Sequence, residues 1–338
     1  MTQRYVEITK KNLMLVCISA NPAIDRRLRL ENIAVGEINR ALSAQPFPGG
    51  KAAHVAMVAK ALGVDVMWVG FLGGPTGEQC ESGLTEFGVP LTVIRTQSET
   101  RANLELISAD GRVTEILEPG GAVTEGEVER LLTTCRDLFA ESEPGTQVAM
   151  SGSLPPGAPS DLYAELIRLA HVYGCRTLLD TSGETLRHAL NAGPDFVKPN
   201  RNEASAFAGY SIAGATAAVE ATQRFFDAGA KSVAISLGAD GMVWQRTVSS
   251  EAFISEPSPV AGCSPVGCGD AALAGFAVAH ERGLSDEETL RLATACGSSN
   301  CMADVPGRVD TRDVQRLVQE IAVRRVVESS RRIAVEAQ

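Results

Sequence analysis

Short, almost unbroken apolar runs recur along this chain, separated by stretches with the period of an α-helix. The runs span residues 13–20, 64–71, 147–151, 176–180, 195–198 and 232–237. A strand with one wet face alternates apolar and polar residues, whereas a strand that is apolar throughout needs cover on both faces. The segments between the runs can supply that cover. Residues 52–62 read as a helix, and residues 124–138 open on Thr124 with Glu127 three positions on, the signature of a capping box. Residues 160–173 set Leu162, Leu166, Leu169 and Ala170 on one stripe, with Ser160 placed to cap the start. This alternation predicts an α/β fold: a doubly wound, mostly parallel sheet with helices on both faces and right-handed crossovers.

Two segments break the rhythm. Residues 26–47 and 91–117 read as antiparallel strands, and in the second Ala109-Asp110-Gly111 sits between two alternating runs as a hairpin turn. A small antiparallel β sheet built from both excursions would cover a site on the main domain as a lid. The expected organisation is one α/β domain over residues 13–325 with those two insertions. A mobile leader over 1–12 and a tail over 326–338 flank it, the tail closing a basic-tinged helix over 312–337.

Composition excludes several classes of function. Of 338 residues 44% are hydrophobic, enough for a large core. Lys and Arg number 31 against 41 Asp and Glu, a net charge of −10. That balance argues against a nucleic-acid partner, which needs clustered positive charge, but not against a small anionic ligand. No apolar run approaches the ~18 residues of a membrane span, so no membrane partner is expected. The apolar stretch near the start is too short for a signal peptide. None of the eight cysteines forms a CxxC. The pairs Cys263/Cys268 and Cys296/Cys301 are each five apart, and in a helix that spacing points to different faces. His54, His171, His188 and His280 do not complete a ligand set, so a structural metal is not expected. Dispersed free thiols point to a reducing, cytoplasmic location.

The chemistry concentrates in glycine-rich loops at the ends of the apolar runs. No GxxxxGK[ST] loop is present, and Gly70–Gly74 lacks the spacing of a dinucleotide loop, which leaves an NAD-dependent enzyme as a distant reading. The sharpest signal is Ser264-Pro265-Val266-Gly267-Cys268-Gly269-Asp270, running into a helix of small residues. Backbone N–H groups at such a helix start form an anion site. Asp270 in the first turn is either a plain helix-start charge or a base beside that anion, and the second combination is what phosphoryl transfer requires.

Over residues 13–325 the chain resembles the ribokinase-like (pfkB) carbohydrate kinases, and most of all their sugar-phosphate branch of 1-phosphofructokinases, tagatose-6-phosphate kinases and the minor 6-phosphofructokinases. By that resemblance Gly267, Cys268 and Gly269 supply the anion hole, with Cys268 in place of alanine, and Asp270 is the base. Asn21-Pro22-Ala23-Ile24-Asp25 resembles the segment whose Asp binds sugar hydroxyls, although Asn-Pro also suits a plain strand-end turn. Pro48-Gly49-Gly50-Lys51 resembles the sugar-binding glycine signature, and Lys51 is the residue type of the sugar-phosphate branch. Two departures follow: Ala52 replaces glycine, and His54 replaces the sugar-binding Asn, either as a donor to a hydroxyl or as a helix-face residue without a ligand. Thr100-Arg101-Ala102-Asn103 resembles the strand whose Arg holds the substrate's existing phosphate, Asn103 lying in the same site. An isolated Arg there would otherwise be solvated. Ser153 in Ser151–Gly157 would contact substrate. In Lys198-Pro199-Asn200-Arg201-Asn202-Glu203, the resemblance puts Lys198 near the nucleotide phosphates and has Asn200 and Glu203 organise Mg²⁺ through water. Asn200 also reads as a helix cap. Ser236, Gly238 and Gly241 would lie near the ATP phosphates, and Asn300 beside the nucleotide base.

The resemblance implies ATP and Mg²⁺ as cofactors and a sugar or sugar phosphate as partner. The expected reaction is phosphorylation of a ketohexose monophosphate: fructose 1-phosphate first, then tagatose 6-phosphate or fructose 6-phosphate. A kinase of an unphosphorylated sugar or nucleoside is the alternative. A non-catalytic sugar-phosphate and ATP sensor is the alternative of another class. Lids in this family often pair between subunits, which implies a homodimer.

Overall fold

The computed structural model describes residues 15–261 and 264–326. The chain begins with β1 (Leu15–Ser19), β2 (Ala23–Leu30), β3 (Ser43–Gly49), α1 (Lys51–Ala61), β4 (Val66–Leu72), α2 (Gly74–Glu86), β5 (Leu91–Arg95), β6 (Arg101–Ser108) and β7 (Val113–Ile116). It continues through α3 (Glu125–Ala140), β8 (Gln147–Ser151), α4 (Leu162–Val172), β9 (Arg176–Asp180), α5 (Gly183–Leu190), β10 (Phe196–Val197), α6 (Arg201–Ala208), α7 (Ala215–Asp227) and β11 (Val233–Ser236). It closes with β12 (Met242–Gln245), β13 (Ala252–Glu256), α8 (Cys268–Glu281), α9 (Asp286–Met302), α10 (Thr311–Glu320) and β14 (Ala322–Val326). The expected leader 1–12, the first two residues of the run at 13–20, Cys263 and the tail from 327 onward lie outside the described residues.

Ten strands form one sheet in the order β14-β13-β12-β11-β10-β9-β8-β1-β4-β5. From β5 to β11 every neighbouring pair is parallel, and β12, β13 and β14 extend that edge antiparallel. The continuous apolar runs are explained by cover on both faces. In β1, Leu15 and Cys17 enter one core, against α1, α8 and α9; Val16 and Ile18 enter the other, against α3 and α4. β4 does the same, with Trp68 on the first face and Met67 and Val69 on the second. The Thr124 capping box forms as expected. Along α8 the small residues let a neighbour come close: a Cβ on Gly275 would lie 2.7 Å from the Ala293 Cα of α9.

A second sheet, ordered β3-β2-β6-β7, stands apart from the first. Here four expectations change. Residues 91–95 do not join it: β5 is the outer strand of the large sheet, parallel to β4, because α2 acts as a crossover that returns the chain with Ile94 facing the core. The seam between β2 and β6 is parallel, so this sheet consists of two antiparallel hairpins rather than being antiparallel throughout. β2 leaves the large sheet after β1, and β6 after β5, and those two strands point the same way. The helix expected over 312–337 stops at Glu320, where the chain turns to cover the open edge of β13 with β14. Ser160 caps nothing, because α4 starts at Leu162 behind Asp161.

Candidate active site

β1 lies between β4 and β8, so chain connections diverge on either side of it and leave a crevice at the strands' carboxyl ends. The expected site residues lie on the turns leaving β1, β8, β10 and β11, at the starts of α1, α6 and α8, near the end of α9, and on β2 and β6 of the small sheet. In that sheet Asp25 and Asn103 are direct register partners, and Asn103 Nδ2 donates to Asp25 Oδ1 at 2.8 Å. Gly49 closes the other flank of Asp25: a Cβ on it would lie 2.2–2.4 Å from the carboxylate atoms. Gly50, with φ +87, opens α1 in a conformation other residues rarely adopt. Burial lifts the Asp25 carboxyl above its usual range, against the opposing pull of His54, Asn103 and Arg101.

The start of α1 brings His54 and Lys51 into the crevice. His54 Nδ1 lies 2.9 Å from Asp270 Oδ2, and Nε2 lies 3.6 Å from Asp25 Oδ2. Lys51 Nζ lies 2.5 Å from Asp180 Oδ1 and 3.5 Å from Glu203 Oε1, and Lys198 Nζ lies 2.7 Å from Asp180 Oδ2. Asp180 was not among the expected residues, although it ends an expected strand. It is buried between two ammonium groups. Burial pushes its carboxyl up, but Lys198 and Lys51 outweigh that and hold it down at about 2. Burial likewise pushes the Lys51 ammonium down, while Asp180, Glu203 and Asp270 together hold it above its ordinary value. Lys51 thus faces Asp180 and Glu203.

The loop before α8 ends on a left-handed glycine. Gly267 has φ +79 and immediately precedes α8, so the N–H groups of Cys268 and Gly269 lie at the positive end of that helix. The Cys268 N–H still reaches Pro265 O at 3.2 Å. A Cβ on Gly269 would stand 3.2 Å from Lys198 Nζ, which shows how closely that ammonium approaches the loop. Asp270 is buried in the first turn. Asn300, expected beside the nucleotide base, instead braces the loop: Nδ2 donates to Val266 O and Oδ1 accepts from Gly307 N, both at 2.8 Å. Nδ2 also approaches Cys268 Sγ at 3.6 Å, so both contacts of that nitrogen lie within the loop. The Cys268 and Cys301 thiols interact, which lowers Cys301 to about 7 and pushes Cys268 well up.

The remaining residues divide between support and open chemistry. Arg101 donates to Glu118 O at 2.7 Å and Asn21 O at 2.9 Å, while its buried Nε has no partner. It lines a cleft with Asn21, Thr100 and Gly121. Asn21 Nδ2 donates to Ser153 Oγ at 3.1 Å, tying β1's turn to β8's. Asn200 caps α6 by accepting from the N–H groups of Asn202 and Glu203, and Glu203 Oε2 accepts in turn from Asn200 N–H, leaving Oε1 toward Lys51. Ser236 bridges to Asn200, and Gly238 and Gly241 make the turn beyond it, with φ +66 and +88. Among the described residues no three His, Cys, Asp or Glu side chains gather as a metal site. The Glu203 and Asn200 environment fits Mg²⁺ that keeps its waters and is carried mainly by phosphates.

Sequence reasoning also missed a buried tie between the small sheet and the anion loop. Arg27 on β2 meets Glu105 on β6 through two bonds, 2.7 and 3.0 Å. Glu105 accepts from Ser264 Oγ just before the anion loop, and Arg27 donates to Asp304 O just after α9.

A left-handed glycine at a helix start with a buried carboxylate in the first turn is an arrangement that phosphoryl transfer can use. That arrangement puts the chain among small-molecule phosphotransferases. Comparison with known proteins narrows the class. The chain belongs to the pfkB family of carbohydrate kinases, which it matches over residues 12–303. It is 31% identical to a tagatose-6-phosphate kinase of Staphylococcus epidermidis, over 92% of this chain and 99% of that one. It is 34% identical to a 1-phosphofructokinase of Rhodobacter capsulatus, over 84% and 89%. Among solved structures it resembles the tetrameric inhibited form of phosphofructokinase-2 from Escherichia coli, with TM-score 0.83, 29% identity, and 91% and 99% coverage.

Proposed function

We propose that this chain transfers the terminal phosphoryl group of ATP to a hydroxyl of a ketohexose monophosphate, fructose 1-phosphate first, then tagatose 6-phosphate or fructose 6-phosphate. The observation that carries this reading is the placement of Asp25 and Asp270 on opposite nitrogens of one buried imidazole. A sugar held by Asp25 through one hydroxyl can then present another to the base. Asp270 takes the hydroxyl proton as the oxygen attacks. The N–H groups of Cys268 and Gly269, with Lys198 behind them, hold the charge on the transferring group. Mg²⁺, when bound near Glu203 and Asn200, would neutralise nucleotide phosphate charge. Gly49, Gly50, Asn103 and Ser153 shape the sugar seat. The unpartnered Arg101 Nε and its cleft support a seat for the sugar's own phosphate. We also propose a cytoplasmic enzyme that pairs through the small sheet, where Val35, Ile38, Leu42, Ile116 and Leu117 are exposed.

A second reading has its own observation. Lys51 already has two carboxylate partners, which suits a kinase of an unphosphorylated sugar or nucleoside. ADP release measured with fructose 1-phosphate, fructose 6-phosphate, tagatose 6-phosphate, fructose, ribose and adenosine separates the two. Turnover on one phosphorylated ketose is expected. Turnover only on a neutral substrate overturns the phosphate seat, and tight binding without any ADP indicates a sensor.

A further inference from the structure

His54 stands between two carboxylates that the reaction uses for different purposes. Its Nδ1 meets Asp270 Oδ2 at 2.9 Å, which leaves Asp270 Oδ1 to receive a proton. Its Nε2 is buried, lacks a hydrogen-bond partner, and faces Asp25 Oδ2 at 3.6 Å. The ring cannot easily swing away: a Cβ on Gly307 would lie 2.8 Å from its Cδ2, so that backbone is packed on one face.

We propose that His54 is held as an imidazolium that pins the base Asp270 and screens it from Asp25, making it the positioning residue through which sugar seat and base depend on one proton. A neutral ring that donates through Nδ1 would aim the Nε2 lone pair at a carboxylate, with no donor between them. The protonated ring is attracted on both sides. The charged groups around it come from every neighbouring element: Asp270 on α8, Asp25 on β2, Glu105 on β6 and Glu115 on β7, with Lys51 on its own helix and Arg101 on β6 acting on the two aspartates. Burial pushes the imidazolium proton off, but the carboxylates outweigh burial and hold it above the ordinary histidine range. During transfer the acceptor's proton passes to Asp270 Oδ1. The new P–O bond forms as the old one breaks, and ADP leaves with the bonding pair. The His54 proton stays where it is. As pH rises through the ring's raised value, Asp25 and Asp270 lose the charge between them, and sugar affinity falls.

The kinetic half of this inference rests on the kinase reading; the titration half does not. The chain has four histidines, so ¹⁵N-histidine spectra are simple, and loss of one signal in His54→Asn assigns the ring. In ligand-free protein the His54 ring should remain doubly protonated above the pH at which an ordinary histidine becomes neutral. Asp270→Asn should shift its midpoint down, and Asp25→Asn should shift it less. A neutral ring at pH 7, or a midpoint that neither variant moves, overturns the proposal and leaves the kinase reading intact. In the active protein kcat/KM should show an alkaline limb. His54→Asn, which keeps a donor but no titrating proton, should lose that limb, with His54→Gln as the second variant. A limb that survives both substitutions counts equally against it. Silence on the substrate panel with the predicted titration would remove the kinase reading and keep the buried imidazolium.

Discussion

At Gly49 a single methyl group would occupy the space of the Asp25 carboxylate. Gly49→Ala should raise the sugar KM at least about tenfold, the order of one good hydrogen bond to a charged group, with thermal unfolding little changed; steady-state kinetics beside a melting curve tests this. Asp180 carries a second expectation. Its folded carboxyl sits near 2, below the unfolded value, so its stabilisation is full above about pH 4 and is lost as pH falls toward 2. Asp180→Asn should therefore destabilise at pH 7, and urea titrations of the two proteins should converge as pH drops through that window. Among the cysteines described, Cys301 alone is lowered, to about 7, while Cys17, Cys80, Cys135, Cys175 and Cys296 are raised by burial. Iodoacetamide should mark Cys301 before those five, and peptide mapping by mass would show a different order if the thiol pair is not formed. The glycines and acids of the loops were legible as local motifs. Asp180 was visible only as a strand end: its partner Lys51 lies 129 positions away, and no local pattern encodes such a pairing.

Elements were legible where two periods met cleanly. The continuous apolar runs announced the parallel strands, because burial on both faces removes the alternation that would otherwise compete. β14 was not legible, because Ala322–Val326 is mostly exposed and follows α10 with no glycine or proline between them; only the waiting edge of β13 decides its conformation. The parallel seam of β2 and β6 was hidden for a similar reason, since direction is set by where each strand leaves the large sheet. The Arg27–Glu105 pair crosses that seam. Removing one partner of a buried ion pair typically costs about 3–5 kcal/mol. Arg27→Ala should cost stability on that scale in urea unfolding and also weaken turnover, because Glu105 and Asp304 on either side of the anion loop lose the same anchor. Wild-type stability in that variant would show that the small sheet does not depend on it.

The whole molecule is a sheet with two cores and a smaller sheet held over one end of it. No helix among the described residues is long and apolar enough to cross a membrane. The apolar residues left exposed cluster instead on the small sheet and its 31–42 crossover, Val35 and Ile38 most of all, at 98% and 80% exposure. Ile38→Glu with Leu42→Glu should convert a dimer to a monomer in light scattering; a wild-type monomer at micromolar concentration refutes pairing.

The ligand-free pairing of Lys51 has a consequence for how this molecule meets an anion. Its ammonium already has two carboxylates as counter-ions, so a phosphate that comes to it must displace one, as an ion does on an exchange resin. A resin's displaced ion leaves, whereas this carboxylate stays on the chain, so the site takes up the newcomer's negative charge and added salt eases the repulsion. Affinity then depends on how well the newcomer replaces the carboxylate and on ionic strength, in a chain whose net charge is already −10.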